Sequence, residues 1–158
     1  MFDSCRGHKN GKILFMNKGE DFTGITIVFF CHDGDGKVLM SKRSINCRDE
    51  HGCWDIGGGG LEHYDSIENT LRKEIKEEYC VDVVDYEFLG YREVHRESGD
   101  KKSHWIALDF KVLVNPEGAD NGEPHKFEAV DWFNMDTLPN PKHSQLPTFL
   151  DKYADKLR

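Results

Sequence analysis

The sequence has no long hydrophobic segment. None of its apolar stretches approaches the roughly 20 residues that a helix needs to cross a membrane. Residues 1–6 also lack the apolar region of a secretory signal. We therefore expect a cytoplasmic protein that has no membrane partner.

Basic residues are scarce relative to acidic ones. Lys and Arg number 21 against 29 Asp and Glu, which gives a formal net charge of −8. Binding to duplex nucleic acid without sequence preference needs a basic surface, so we expect no such partner. A nucleotide substrate remains compatible with this charge, because bound cations can reverse the electric field locally.

Cysteine is sparse and follows no ligand pattern. The chain has five cysteines and no Cys-x-x-Cys pair, which is typical of reduced thiols in the cytoplasm. Residues 47–53 combine two cysteines with His51, but the spacing offers no fourth ligand for a structural zinc. We predict an irregular loop there.

The length of 158 residues predicts one domain with one core. We assign residues 1–22 to an N-terminal extension packed on the domain, and residues 23–158 to the domain itself. Periodicity and turn residues predict strands at 12–17, 24–31, 37–43, 54–56, 83–97, 103–114 and 128–133, and helices at 66–79 and 146–157. Strands and helices do not alternate strictly. We therefore predict an α/β (α+β) fold, in which helices cover both faces of a mixed sheet as an α/β/α sandwich.

The most informative segment is the glycine run 57–60 with the helix that follows it. Four consecutive glycines are poor strand and helix formers, and they suit a backbone that approaches a ligand closely. Asp65 and Glu68 predict an N-cap and a capping box at the start of the helix. Four residues spaced by four form its predicted apolar face: Ile67, Leu71, Ile75 and Tyr79.

Three carboxylates project from one side of this helix. Glu74, Glu77 and Glu78 lie three and four residues apart, and such residues share a face. A divalent cation such as Mg²⁺ or Mn²⁺ prefers oxygen ligands and would turn their repulsion into binding. The carboxylates alone also fit a solvated acidic face with Lys73 and Lys76 as partners. The preceding glycines favour a site for a metal and a pyrophosphate.

Together these residues resemble the Nudix hydrolase family. The family's sequence box begins at Gly59 and keeps its spacing to Val81, with further matches at Glu74, Ile75, Glu77 and Glu78. The departures are Asp65 for Glu, Lys73 for Arg and Cys80 for Gly. The resemblance continues in residues 42–43, 54–58 and 130–139, so that it covers most of residues 23–140.

The three departures leave every metal-binding carboxylate of the box in place. Lys73 keeps the charge of Arg but loses its planar fork. Cys80 stands where a helix often ends with a left-handed glycine, and a side chain there costs about 1 kcal/mol. We expect an active enzyme. The alternative is a nucleotide-binding module that does not hydrolyse its ligand.

The resemblance implies metal-dependent hydrolysis of a pyrophosphate bond in a nucleoside diphosphate linked to another group. We predict a housecleaning pyrophosphatase that acts on a nucleoside triphosphate or a modified nucleotide. The alternatives are ADP-ribose, a nucleotide sugar and a dinucleoside polyphosphate. The family resemblance also suggests a homodimer.

The resemblance further assigns roles to residues. Catalysis falls to Glu74, Glu77 and Glu78. The Mg²⁺ or Mn²⁺ ligands are the same three carboxylates and the Gly59 carbonyl, with Glu123 and Glu128 as further candidates for a metal ligand or a general base. Substrate binding falls to Arg43, Gly58, Gly59 and Gly60. Aromatic residues that offer a slot for the base, although most also fit core packing, are Trp54, Phe88, Tyr91, His104 and Trp105.

Overall fold

The computed structural model describes residues 16–158. Within this range the chain forms seven strands, three α-helices and a short 3₁₀ helix at Met135–Thr137. The strands are β1 (Gly24–His32), β2 (Lys37–Arg43), β3 (Trp54–Asp55), β4 (Gly57–Gly60), β5 (Val83–Ser98), β6 (Lys101–Val114) and β7 (Phe127–Asn134). The helices are α1 (Ile67–Tyr79), α2 (Leu146–Lys152) and α3 (Ala154–Leu157).

The strands form one mixed sheet, as predicted. The main path is β3-β2-β1-β6-β5, with β4 paired to β1 and β7 paired to β2. The strands β1 and β6 run parallel, from Gly24 opposite Trp105 to His32 opposite Leu113. The other strand pairs are antiparallel.

The central strand β1 supplies the core on both faces of the sheet. Successive side chains of a strand point to opposite faces. Ile27 and Phe29 belong to the cluster that includes Leu71 and Ile75 of α1. Phe30 belongs to the second cluster and stacks on Phe149 of α2, with ring centroids 6.2 Å apart. Helices therefore cover both faces, which confirms the predicted layers.

Most predicted elements agree with the structure to within two residues at each end. The terminal helix is an exception, because it is interrupted at Tyr153 and forms the two short helices α2 and α3. The hydroxyl of Tyr153 donates to the buried Asp109, which holds the chain against the sheet at this point. Within residues 16–158, no helix is both long and apolar enough to cross a membrane.

The prediction for the glycine run was wrong in one respect. Gly57–Gly60 forms a regular strand, β4, which pairs with residues 26–29 of β1. Glycine weakens a strand because its backbone loses much freedom on folding and it has no side chain to pack. In this chain the pairing with β1 and the close contact with α1 offset that cost.

The start of α1 also differs from the prediction. Ser66, and not Asp65, is the N-cap, since its hydroxyl accepts from the backbone N–H of Asn69 at 3.1 Å. Asp65 lies before the helix and accepts from the Thr70 hydroxyl at 3.1 Å. Glu68 pairs with Arg72, so that the predicted capping box is absent. Ile67 is 42% exposed, and the buried face of the helix begins one turn later.

The loop between β2 and β3 is irregular, as predicted. Cys47 donates its Sγ–H to the Lys126 carbonyl at 3.1 Å, and His51 donates from Nε2 to the Cys47 carbonyl at 2.8 Å. These contacts tie the loop to the segment before β7 and to its own backbone. The cysteines at positions 31, 47, 53 and 80 are all free thiols.

The predicted strand at 12–17 lies almost wholly outside the described residues, and it stays a prediction, as does the extension at 1–22. The described part of that extension contacts β6. Gly19 lies against the indole of Trp105, where a Cβ would be 2.2 Å from Cε2. The Gly19 carbonyl accepts from the backbone N–H of His104 at 2.7 Å.

Candidate active site

The close approach of β4 to α1 sets the position of the helix carboxylates. A Cβ on Gly57 would lie 1.9 Å from Phe29 Cε2 and 2.7 Å from Glu78 Oε2. A Cβ on Gly59 would lie 2.2 Å from Glu74 Cδ. Real Cβ contacts below 3.0 Å essentially do not occur, so any side chain at these positions would displace its neighbours. The glycines thus allow the backbone of β4 to approach α1 closely, and they do so as part of a strand.

The three helix carboxylates differ in their exposure. Glu78 is 1% exposed, Glu74 is half-buried and Glu77 is exposed. Burial raises the pKa of Glu78 to about 8, although the Lys126 ammonium opposes this effect. Burial and the nearby charge of Glu77 also raise the pKa of Glu74. Burial thus opposes negative charge on Glu78 and Glu74, and a divalent cation such as Mg²⁺ or Mn²⁺, which prefers oxygen ligands, would stabilise that charge.

The backbone of β4 adds polar groups to this cluster. Gly58 donates its N–H to Glu78 Oε2 at 3.3 Å. The Gly59 carbonyl, a predicted metal ligand, accepts from the Thr26 hydroxyl at 3.0 Å. A carbonyl oxygen has two lone pairs, so that this contact leaves one for a cation.

Lys126 completes the cluster, and sequence analysis missed it. Its Nζ lies 3.1 Å from Glu78 Oε1 and 2.9 Å from Glu123 Oε2. Burial lowers the pKa of Lys126, but the charges of Glu78 and Glu123 outweigh burial and raise the pKa above its ordinary value. The spacing of three residues between Glu123 and Lys126 is the only local signal. Nothing in the sequence connects either residue to α1.

The two later acids that were predicted as outer candidates are separated by the structure. Glu123 lies in the cluster through its contact with Lys126. Glu128 lies on β7 and pairs with Lys42 at 2.9 Å, where both side chains are well exposed. Phe127 is buried, and neighbouring residues of a strand face opposite ways, so Glu128 points outward. The structure does not bring Glu128 to the helix carboxylates.

A cavity of about 260 Å³ lies beside the cluster. Its lining includes the four glycines of β4, Glu78 and Lys126, and also four arginines: Arg43, Arg48, Arg92 and Arg96. The predicted substrate residues 43 and 58–60 therefore share one cavity. Arg43 donates from Nε and Nη2 to Asp49, each at 3.0 Å, which fixes the direction of its guanidinium.

Trp105 is the one residue of the predicted aromatic set that lines this cavity. The guanidinium of Arg48 lies over its indole, with Cζ 5.8 Å from the ring centroid. The other four lie elsewhere: Trp54 packs on Phe133, Phe88 and Tyr91 are exposed on β5, and His104 stacks on His95. Trp105 is thus the predicted aromatic residue that stands beside a basic side chain in the cavity, and Phe127 and Phe149, which were not predicted, line the cavity as well.

Charged side chains join the loop between β2 and β3 to β5 and to the segment before α2. Arg96 pairs with both Asp49 and Glu50. Glu50 also accepts from the Ser144 backbone N–H at 2.6 Å and from its hydroxyl at 2.7 Å. These contacts join residues that are about 50 to 90 positions apart in the chain. No local sequence pattern predicts them for that reason.

His143 lies between two carboxylates of this network. Its ring nitrogens are 3.3 Å from Glu50 and 3.4 Å from Asp55. Burial lowers the pKa of His143 to about 4, and burial raises the pKa of Asp55 to about 7. Ligand atoms of Asp49, Glu50 and His143 lie within 4.8 Å of one another. Arginines already pair with both acids of this group: Arg43, Arg48 and Arg96 with Asp49, and Arg96 with Glu50.

A buried ion pair supports the far wall of the cavity. Arg92 binds Asp109 through two hydrogen bonds of 2.7 and 2.9 Å, and Tyr153 donates to the same carboxylate at 2.9 Å. Arg92 is 8% exposed and Asp109 is fully buried. Such a pair fixes the packing of β5, β6 and the end of α2, because losing one partner leaves a buried charge. Sequence analysis did not identify it.

Comparison with known proteins assigns the chain to a family. A family model described as the NUDIX domain matches residues 22–153. The chain belongs to the Nudix family. It is a Nudix hydrolase, which confirms both the predicted family and the predicted enzyme class, with hydrolysis of a pyrophosphate bond as the general reaction.

Two curated relatives of this Nudix hydrolase are pyrophosphohydrolases. The CTP pyrophosphohydrolase of Escherichia coli (strain K12) is 25% identical over 111 residues, which cover 68% of this chain and 74% of the relative. The RNA pyrophosphohydrolase of Saccharophagus degradans is 30% identical over 117 residues, which cover 63% of this chain and 65% of the relative.

Solved Nudix structures share the fold. A MutT NUDIX hydrolase from Burkholderia pseudomallei superposes with a TM-score of 0.73 at 24% identity, covering 83% of this chain and 98% of that one. The NUDIX domain of Shewanella oneidensis NrtR, solved with ADP ribose, gives a TM-score of 0.67 at 18% identity, covering 86% and 88%. At these identities the likeness concerns the fold, and it confirms the predicted α+β architecture.

Proposed function

We propose that this Nudix hydrolase cleaves a pyrophosphate bond of a nucleoside triphosphate or a modified nucleotide with the help of Mg²⁺ or Mn²⁺. The observation that carries this proposal is the continuity of the cavity. Glu78, Lys126 and the glycine strand line the cavity together with four arginines and Trp105. A polyphosphate at the carboxylates thus has a basic and aromatic surface next to it for the rest of the nucleotide.

The size of the cavity favours one nucleoside. Small-molecule sites occupy about 300–1,000 Å³, and this cavity of about 260 Å³ lies just below that range. A single base and sugar suit that volume better than the two nucleosides of a dinucleoside polyphosphate do. The relative that acts on CTP supports the same choice, since CTP is a nucleoside triphosphate.

The carboxylates of α1 are the proposed metal ligands. Glu74, Glu77 and Glu78 would hold the cation together with the Gly59 carbonyl, and Glu123 is a further candidate. When bound, the cation neutralises phosphate charge and lowers the pKa of a water molecule. Arg43, which lines the cavity and pairs with Asp49, is the proposed contact for phosphate oxygens. Glu123 is the proposed acceptor of the proton from the attacking water, because it is the one predicted loop acid that reaches the cluster.

A substrate panel tests this proposal. The panel contains CTP and the other nucleoside triphosphates, oxidised deoxynucleoside triphosphates, ADP-ribose, nucleotide sugars, dinucleoside polyphosphates and 5′-triphosphorylated RNA. Inorganic phosphate is measured after a coupling phosphatase or pyrophosphatase is added, with Mg²⁺ and with EDTA. The control is the Glu78→Gln variant, which keeps the shape of the side chain and removes its charge.

We expect turnover of a mononucleotide that requires Mg²⁺ and falls roughly 100-fold or more in Glu78→Gln. Preference for ADP-ribose, a sugar nucleotide or a dinucleoside polyphosphate would assign the alternative substrate class and refute the size argument. Turnover that is equal in wild type and Glu78→Gln would refute the proposed metal site.

The proposed homodimer has a separate test. The strand β5 lies at one end of the sheet path and exposes Val84, Phe88 and Tyr91, which are 61%, 52% and 62% exposed. Light scattering after gel filtration measures the molar mass directly. A mass of one chain across micromolar concentrations would exclude the dimer.

A further inference from the structure

Lys126 lies between two acids that come from different elements. Its ammonium is 3.1 Å from Glu78 on α1 and 2.9 Å from Glu123 on the loop between β6 and β7. The side chain of Glu78 is 2% exposed, whereas those of Glu123 and Lys126 are 24% and 35% exposed. One lysine thus connects a buried acid to an acid that reaches solvent.

The backbone around Lys126 is held firmly. The Lys126 carbonyl accepts from the Ser44 backbone N–H at 2.9 Å and from Cys47 Sγ at 3.1 Å. Earlier in the same loop, Gly122 donates its N–H to the Glu78 carbonyl at 3.1 Å. The loop is therefore docked on the end of α1, and the lysine side chain starts from a fixed position.

Electrostatics makes this lysine necessary for the arrangement. The Lys126 ammonium draws the Glu123 carboxylate toward Glu78, because it lies within 3.1 Å of both side chains. Among the described residues, the ion-pair partner of Glu123 is Lys126. Without the ammonium, solvent access would favour a Glu123 side chain that turns outward, away from the helix carboxylates.

We propose that Lys126 is a positioning residue that holds Glu123 against Glu78, so that the loop acid and the helix acids act as one cluster. This inference rests on the proposed function, which gives Glu78 a metal ligand's role and Glu123 a proton acceptor's role. Lys126 acts through these two residues, and its own amine takes no part in the bond that breaks.

Three variants isolate the effect. Lys126→Met keeps the aliphatic stem and removes the charge, and Lys126→Arg keeps the charge. Lys42→Met is the matched control, because Lys42 is 36% exposed and also pairs with a glutamate at 2.9 Å, but at the outer side of β2 and β7. Lys126→Met removes the pairs with Glu78 and Glu123, and Lys42→Met removes one exposed pair from a lysine of similar exposure.

The first readout does not depend on activity. Crystal structures of the metal-free and nucleotide-free proteins give the position of the Glu123 carboxylate. We expect this carboxylate to turn away from Glu78 in Lys126→Met, and to keep its wild-type position in Lys126→Arg and Lys42→Met. A Glu123 carboxylate that keeps its wild-type position in Lys126→Met would overturn the proposal, since the lysine would then not hold it.

The second readout is the division of the kinetic effect between kcat and KM. In Lys126→Met, kcat should fall about 30-fold, while KM for the nucleotide stays within about threefold. Lys126→Arg should recover most of that loss, and Lys42→Met should keep the wild-type kcat. A loss that appears only in KM, or one that Arg does not restore, would contradict a positioning role.

A double variant tests the path through Glu123. If Lys126 acts by placing Glu123, the losses from Lys126→Met and Glu123→Gln will overlap, and the double variant will lose less than the product of the two single losses. Losses that multiply fully would overturn the proposal. Absence of Mg²⁺-dependent turnover in the wild type would refute the proposed function alone. The position of the Glu123 carboxylate in Lys126→Met would still test the lysine in that case.

Discussion

Gly59→Ala is the change that most directly probes how β4 places the helix carboxylates. The added Cβ would lie 2.2 Å from both Cδ and Oε2 of Glu74, and 2.5 Å from Cγ. The strand cannot retreat easily, because Gly59 is paired with Ile27 of β1 and Ile27 is fully buried. The side chain of Glu74, which is half-buried, must therefore move away.

The structure gives the size of this movement. Ordinary contacts at a Cβ begin near 3.4 Å, so the carboxylate must withdraw by about 1 Å or more. A misplacement of about 1 Å in a catalytic group can reduce the rate about 100-fold, which corresponds to about 2.7 kcal/mol of transition-state stabilisation. Because a glutamate side chain is flexible, the free energy of unfolding should change by less than about 1 kcal/mol.

The assay compares Gly59→Ala with Gly60→Ala. A Cβ on Gly60 would meet only Lys18 Nζ within 4 Å, at 3.7 Å, and this distance is an ordinary contact. Both variants place alanine in the same strand, so any general effect of alanine cancels. We expect kcat with saturating Mg²⁺ to fall much further in Gly59→Ala, with similar thermal midpoints for both proteins. A kcat for Gly59→Ala within threefold of wild type, or equal losses in the two variants, would refute the reasoning.

Two further predictions concern stability. Gly57→Ala should lower the free energy of unfolding by about 1–3 kcal/mol, because its Cβ would lie 1.9 Å from the buried ring of Phe29; an unchanged urea midpoint would contradict this packing. Glu78 carries a pKa of about 8 in the folded protein against an ordinary 4.5, so the stability tied to its neutral form is complete below about pH 4.5 and is lost as the pH rises through 8. In EDTA, the free energy of unfolding of wild type should therefore fall relative to that of Glu78→Gln between about pH 5 and 8, by on the order of 3–5 kcal/mol. Urea titrations at several pH values measure this difference, and a difference that stays constant would rule the prediction out.

The glycine strand shows how far local sequence rules reach. The run of four glycines was correctly taken to mark a close backbone approach, but it was predicted not to be a strand. Propensity describes an isolated segment, whereas β4 is stabilised by hydrogen bonds to β1, about 30 residues earlier in the chain. The N-cap at Ser66 was missed for a similar reason, because Asp65 and Ser66 are both good capping residues and only the geometry of the helix end chooses between them.

The candidate site also combines residues that local sequence predicts with residues that only tertiary packing brings in. The predicted roles of Glu74, Glu77, Glu78, Arg43 and the glycines stay predictions. The placement of Glu78, Arg43 and the glycines around one cavity supports theirs. Glu123 reaches the cluster whereas Glu128 does not, although the two acids are only five residues apart. The strand β7 begins between them, and its alternation turns Glu128 outward.

The sequence by itself determined the helix, its acidic side and the family, since these depend on residues three to eight positions apart, and helix periodicity is a local property. Only the tertiary structure decided that Lys126 joins Glu78 to Glu123, that Arg92 pairs with Asp109, and that Trp105 alone among the aromatic candidates reaches the cavity. Lys126 and Glu78 are 48 residues apart in the chain. Such a contact forms only when the loop before β7 packs against α1. Its partners are therefore determined by the packing of the whole sheet and not by local sequence.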